Sequence, residues 1–133
     1  MTSSMSLSDS RTRSYDSVVW HDSAAVVGVR YAVARMSLGR RIELARRMRE
    51  VGRKLEYFEA GTETKDKLEA AVLAAELDRE YLAWGLTAVE GLDIDGVAAS
   101  PEAVIDKGPA ELATEILESV KRETGLSEAE RKN

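Results

Sequence analysis

The stretch that decides the fold runs from Val29 to Glu50 and has the sequence VRYAVARMSLGRRIELARRMRE. In its first half, Val29, Tyr31 and Val33 alternate with small or charged residues, which is typical of a strand with one apolar face. From Ser37 onward the apolar residues recur every three or four positions, which is typical of a helix. The stretch therefore predicts a strand that passes directly into a helix.

The same region concentrates positive charge in an acidic protein. Between positions 30 and 54, nine Lys and Arg residues stand against two acids, whereas the whole chain has a net charge of −5. Segregated charge of this kind concerns association rather than fold. Three interpretations stay open: a face that is solvated or paired with acids of the next helix, a surface for a protein partner, and a surface for nucleic acid. The pI of about 5.0 and the absence of interleaved aromatic residues argue against nucleic acid. The candidate acids are Glu69, Glu76 and Glu80.

Composition sets the class of protein. A chain of 133 residues with 44% apolar and 32% charged residues predicts one globular domain. The chain has no cysteine, which excludes disulfides, thiolate metal sites and thiol catalysis. We expect a disordered tail over residues 1–14 and a single domain over 15–133, with neither a signal peptide nor a membrane span. The expected location is the cytoplasm.

The first half of the chain predicts a β-hairpin followed by a long helix. Strands are expected over Asp16–Trp20 and Ala25–Arg35, with a turn that includes His21. Ser37 is the expected N-cap of a helix over Leu38–Ala60, closed by Gly61 in the left-handed conformation. This helix carries a narrow apolar row, which we call the seam. The seam consists of Leu44, Met48, Val51, Leu55 and Phe58.

A second helix is expected from Thr62 or Thr64 to about Glu90, antiparallel to the first. It carries two adjacent apolar stripes, and so broad an arc predicts a central helix that is buried on two sides. The first stripe is Leu73, Leu77, Tyr81, Trp84 and Ala88. The second stripe is Val72, Ala75, Leu82, Leu86 and Val89.

The C-terminal third predicts a short hairpin and two or three helices. Asp95-Gly96 favours a two-residue hairpin turn. A helix is expected from Pro101 to Gly108, and another from Pro109 to Thr124 that Gly125 stops. Its inward residues are predicted to be Leu112, Ile116, Leu117 and Val120. Residues 127–130 have the pattern of a capping box that begins another helix. The fold class is thus α+β and predominantly helical, with an N-terminal β-hairpin, a long helical hairpin as core, a short DG hairpin and C-terminal helices.

Residue types that carry catalysis do not form a recognisable motif. His21 is the single histidine, and with no cysteine it does not build a usual zinc site. The acidic residues around Asp95 have calcium-loop spacing, but Gly91 occupies the first ligand position. We therefore expect no enzymatic activity and no cofactor.

Four stretches together resemble proteins of the bacteriophage and prophage tail assembly chaperone type. They are the junction at residues 29–44, the stretch EYLAWGL at 80–86, the hairpin GLDIDG at 91–96 and the closing GLSE at 125–128. The resemblance implies a non-enzymatic protein that binds the tape measure protein in the bacterial host cytoplasm during virion morphogenesis. It also implies self-association and a longer form made by ribosomal frameshifting.

The amphipathic first helix supplies the candidate partner-binding surface, because helical partners are recognised by apolar residues at helical spacing. Intramolecular core is the favoured explanation of the same seam. The alternative function is a small nucleic-acid-binding regulator that uses Arg40, Arg41, Arg46, Arg47 and Arg49. The candidate partner-binding residues are Arg40, Arg41, Leu44, Arg47, Met48, Val51, Leu55 and Phe58.

Overall fold

The computed structural model describes residues 12–125. It is α+β and predominantly helical, which confirms the predicted fold class. Most of the predicted tail and the predicted capping box at 127–130 lie outside the described residues. The strands are β1 (Val18–Asp22), β2 (Arg30–Ala34), β3 (Leu86–Glu90), β4 (Asp93–Ile94) and β5 (Val97–Ala98). The helices are α1 (Leu38–Glu59), α2 (Thr64–Gly85), α3 (Pro101–Lys107) and α4 (Ala110–Glu123).

The strand-to-helix junction forms where the sequence predicts it. Ser37 is the N-cap of α1, and its hydroxyl accepts a hydrogen bond from the Arg40 backbone N–H at 3.2 Å. The prediction for Gly61 was wrong in its reason, because Gly61 is not among the residues with positive φ. A Cβ there would instead collide with the Asp66 side chain. Asp66 forms a capping box with Glu63 at the start of α2, so Gly61 leaves room for that cap.

The second helix is shorter than predicted, and its last residues become a strand. α2 ends at Gly85, and β3 pairs antiparallel with β2, so the sheet order is β1-β2-β3. The helical period of the apolar residues continues past Gly85, but pairing with β2 competes with it. Thr87 and Val89 are β-branched and favour the extended conformation. The expected two-stranded hairpin is therefore a three-stranded sheet.

The predicted strand Ala25–Arg35 is also shorter, because residues 23–29 form a loop. The backbone N–H groups of Ala24 and Ala25 donate to the Glu115 carboxylate of α4 at 3.1 and 3.0 Å, so they are not available to a sheet. β1 is shifted relative to Asp16–Trp20 and includes His21, which stacks on Tyr31 with 5.3 Å between ring centroids. The expectation of a turn at His21 was wrong.

The core lies between the sheet and α4, where the sheet face of β2 meets the inward face of the helix. Leu112, Ile116 and Val120 are fully buried, as predicted, while Leu117 is half-buried at the edge of the core. Trp84 and Tyr31 are the largest buried side chains. α4 contacts both β2 and α2, and it therefore holds the sheet and the helical hairpin together.

The remaining turns follow the predicted chemistry. Asp95 and Gly96 have φ of 53° and 80° and join β4 to β5, as expected for a DG hairpin. Ser100 caps α3, with Pro101 in its first turn. Gly125 follows α4 with φ of 81°, the left-handed conformation predicted for it. Between residues 12 and 125, no helix combines the length and apolar character needed to cross a bilayer.

Candidate functional site

The helical hairpin extends beyond the core, and we call its outer part, residues 49–72, the arm. No side chain of the arm is buried. The reason is that α1 has extensive contacts only with α2 among the described elements, while α3 and α4 pack against α2 nearer its C-terminal end. The arm thus consists of two helices that pack on each other and borders α3 only at Val72.

The second apolar stripe of α2 is exposed along the arm. Leu68 and Val72 are 65% and 53% exposed, and Ala75 is exposed as well. The expectation that α2 is buried on two sides holds only for its C-terminal half, where Leu82 is buried. The spacing of 68, 72, 75 and 82 places these side chains on one helix face. An apolar face of this kind, left uncovered, is typical of an interaction surface.

This stripe leads into a groove of about 450 Å³ between α2 and α3. Its apolar floor includes Val72, Leu82 and Ile105. Two charged residues of its rim are already paired inside the protein: Asp78 with Lys121 at 3.2 Å, and Arg79 with Asp106. Glu76 on the same rim forms no ion pair with residues 12–125. The groove therefore offers an apolar floor and one unpaired carboxylate.

The seam of α1 divides into an inner and an outer part. Leu44 is buried in the core, and Met48 packs against it. Val51, Leu55 and Phe58 are half-buried where α1 and α2 run side by side. The inner part is intramolecular core, and the outer part belongs to the arm.

Arg40 packs against Trp84, and its side chain is 29% exposed. Its guanidinium lies 4.6 Å from the centroid of the Trp84 ring and donates to the Trp84 carbonyl. In return, the Trp84 indole N–H donates to the Arg40 carbonyl at 2.9 Å. Arg40 also pairs with Glu43 at 2.7 Å. These contacts join the first turn of α1 to the end of α2, and they explain a basic residue near a helix N-terminus, where the helix dipole disfavours it.

The other basic residues of α1 fall into two groups. Arg47 pairs with Glu80 of α2 at 3.1 Å, the internal pairing that was one of the three interpretations. Arg53 pairs with Glu50 at 2.7 Å, and this pair lowers the pKa of the Glu50 carboxyl. Within residues 12–125, four further cations form no ion pair with a carboxylate. They are Arg41, Arg46, Arg49 and Lys54.

A polar cluster between α4 and the loop at residues 23–29 surrounds Glu115 and holds that loop in place. The carboxylate accepts hydrogen bonds from the Ser23 hydroxyl at 2.8 Å and the Tyr31 hydroxyl at 3.2 Å, besides the two backbone N–H groups of the loop. Burial acts to raise the pKa of Glu115, but these four donors outweigh it and lower the pKa below its usual value. Burial, with Glu115 nearby, raises the pKa of Tyr31. Each oxygen of the Glu115 carboxylate accepts two of these hydrogen bonds. The cluster is therefore structural, and we call it the Glu115 clasp.

The described residues contain no group of three or more His, Cys, Asp or Glu side chains placed to hold a metal ion. No protein-family model, curated protein or solved structure matches the chain in the comparisons made with each. The arm and its groove are therefore the site that the geometry itself singles out. The sequence already indicated this site, because a helix with two apolar stripes needs a packing partner on each stripe. Leu68 extends the second stripe by one turn.

Proposed function

We propose that this protein is a non-enzymatic phage tail assembly chaperone that binds the tape measure protein in the bacterial cytoplasm, with the arm as its contact surface. The observation that carries the proposal is the exposed apolar stripe of Leu68, Val72 and Ala75 and the groove that continues it. A tape measure protein is a long helical chain whose apolar faces need cover before assembly. A helix laid along the stripe would cover the apolar faces of both proteins.

Recognition follows from the chemistry of the groove. The apolar floor suits Leu or Ile side chains of a partner helix at three- and four-residue spacing. The unpaired Glu76 carboxylate favours a Lys or Arg beside that apolar row. Arg40 and Arg47 are occupied by Trp84 and Glu80, so they position the helices rather than meet the partner. Among the candidate residues, Val51, Leu55 and Phe58 are proposed to keep the arm rigid and to border the contact.

The proposal expects a gene for a long helical tape measure protein next to the gene for this chain, and co-expression of the two proteins tests it. We expect the wild-type chain to keep that protein soluble and to co-purify with it. The double variant L68E/V72E is expected to lose both effects, because two carboxylates on the stripe oppose apolar contact. The control R49E changes the net charge by the same amount on α1, outside the stripe and the groove, and it is expected to bind normally. An insoluble, unbound tape measure protein beside soluble wild-type chain would refute the proposal.

A second candidate function, a nucleic-acid-binding regulator, is favoured by the four cations of α1 that form no ion pair within residues 12–125. Lys and Arg that face phosphates give binding whose affinity falls steeply with salt. The R49E variant separates the two functions, because it should weaken DNA binding while L68E/V72E leaves it unchanged. Absence of DNA binding by the wild-type chain at low salt would eliminate this candidate.

A further inference from the structure

The strand β1 forms an edge of the three-stranded sheet, since the strand order is β1-β2-β3. The opposite edge, β3, is contacted by α3. β1 has extensive contacts only with β2 among the described elements. An edge strand presents unpaired backbone N–H and C=O groups, which can bond another strand.

The register of β1 against β2 decides which backbone groups are unpaired. The Arg35 N–H donates to the Ser17 carbonyl at 2.8 Å, and the Ser23 N–H donates to the Val29 carbonyl at 2.8 Å. Because bonded and non-bonded pairs alternate in an antiparallel ladder, the odd-numbered residues of β1 bond to β2. The even-numbered residues, Val18, Trp20 and Asp22, therefore direct their N–H and C=O groups to the open edge.

We propose that this edge pairs with β1 of a second copy of the chain, antiparallel about a twofold axis at Trp20, to form a continuous six-stranded sheet. The three outward-bonding residues are centred on Trp20, so the strand is complementary to itself. Trp20 bonds Trp20 of the partner subunit, and Val18 bonds the partner's Asp22. A twofold interface uses the same patch on both subunits, and this strand satisfies that requirement.

The side chains at the edge suit a second copy. Trp20 is 38% exposed at the centre of the strand, with Arg30 4.8 Å from its ring centroid. Directly opposed aromatic side chains stabilise antiparallel strand pairs. Asp22 pairs with Arg30 of its own chain at 3.4 Å, and in the dimer it faces an apolar Val18, so no like charges oppose each other. The pairing joins two five-residue strands, and such a contact buries less surface than the roughly 800 Å² per partner of a standard interface. We therefore expect a dimer that dissociates on dilution.

The mass of the full chain in solution tests the pairing. Sedimentation over a dilution series should show a dimer that falls to the 14.6 kDa monomer. W20K and W20E each place like charges on the twofold axis, so each alone should show half the wild-type mass at a concentration where wild type is dimeric. An equal mixture of the two should recover the dimer. V27K, at a loop residue that is 93% exposed, is the control and should keep the wild-type mass.

Cross-linking gives a second readout that does not depend on a charged residue in the strand. The chain has no cysteine, so W20C carries the only thiol. Opposed residues in a bonded antiparallel pair have Cα atoms about 5.5 Å apart, within reach of a short bifunctional thiol reagent. Such a reagent should therefore link W20C to W20C of the partner subunit and leave V27C unlinked.

Four outcomes overturn the proposal: a monomeric wild type at every concentration, a W20K that keeps the wild-type mass, charge variants that do not associate when mixed, or a W20C that does not cross-link. A dimer that survives W20K would place the interface elsewhere, for example on the arm. If circular dichroism shows that W20K is unfolded, the W20C cross-link decides.

Discussion

The body of the molecule and its arm differ in how their apolar side chains are covered. In the body, three strands, α4 and the inner ends of α1 and α2 enclose side chains such as Ile116 and Trp84 completely. In the arm, two helices cover only each other, and no side chain is buried. The body is thus organised for stability, and the arm presents apolar surface that stability does not require.

One helix, α2, belongs to both regions, and its two halves differ in how many helices cover their apolar side chains. Its C-terminal half has α1, α3 and α4 as neighbours, while its N-terminal half packs on α1 and borders α3 only at the groove beside Val72. Its apolar pattern changes little between them. The exposed stripe therefore follows from where α3 and α4 end, which makes it a property of the assembly of helices.

The largest expected difference between the regions is in the cost of removing an apolar side chain. I116A removes a side chain that is 0% exposed and should cost about 2–5 kcal/mol, because it leaves a cavity in the core. L68A on the arm should change stability by about 0.5 kcal/mol or less. Urea denaturation of both variants measures the contrast. Equal losses would mean that the arm is part of the folded core.

A glycine-to-alanine substitution should change folding stability in opposite directions in the two regions. A Cβ at Gly85 would lie 2.6 Å from both Cγ atoms of Val120, so G85A should destabilise by about 1–3 kcal/mol. A Cβ at Gly52 in the arm meets nothing within 4 Å, and G52A should stabilise by about 0.4–1 kcal/mol, because alanine restricts the unfolded chain. Thermal melts of both variants measure the signs. Destabilisation by G52A would contradict the open environment of the arm.

Acid should loosen the body through the Glu115 clasp. The hydrogen bonds lower the pKa of Glu115 from its ordinary 4.5, so the stabilisation is present above that pH and is lost as pH falls through the folded-state pKa. E115Q should lower stability by about 1 kcal/mol at neutral pH, and the difference from wild type should shrink as the pH falls below 4.5. The exposed E118Q is the control. A difference between E115Q and wild type that does not change with pH would refute the role of the carboxylate charge.

The smallest effect is expected for the ion pair that joins the two helices near the inner end of the arm. Arg47 and Glu80 are 3.1 Å apart and both partly exposed, so R47A should cost about 0.2–1 kcal/mol. A double-mutant cycle with E80A isolates the pair, and added salt should reduce the coupling. A coupling that persists in high salt would indicate a buried pair instead.

The sequence predicted the elements whose signals are local. Ser37, Pro101, the Asp95-Gly96 turn and Gly125 each act through neighbours a few residues away, and each acts as expected. The inward residues of α4 were also predictable, because a helix with a single apolar stripe packs that stripe against the core. The candidate site was only partly predictable. The seam of α1 was identified, but its inner residues are core.

What the sequence by itself determined is the α+β class, the helical hairpin and the α4 face that packs on the sheet, because backbone propensity and apolar period act within a segment. Only the tertiary structure decided that residues 86–90 leave α2 to complete the sheet, since β2 supplies the hydrogen bonds that outweigh the helical pattern. It also decided that the Glu115 carboxylate accepts hydrogen bonds from the backbone N–H groups of Ala24 and Ala25, which keeps these residues out of the sheet. The bare stripe at Leu68 and Val72 arises in the same way, because exposure depends on which neighbours reach a surface.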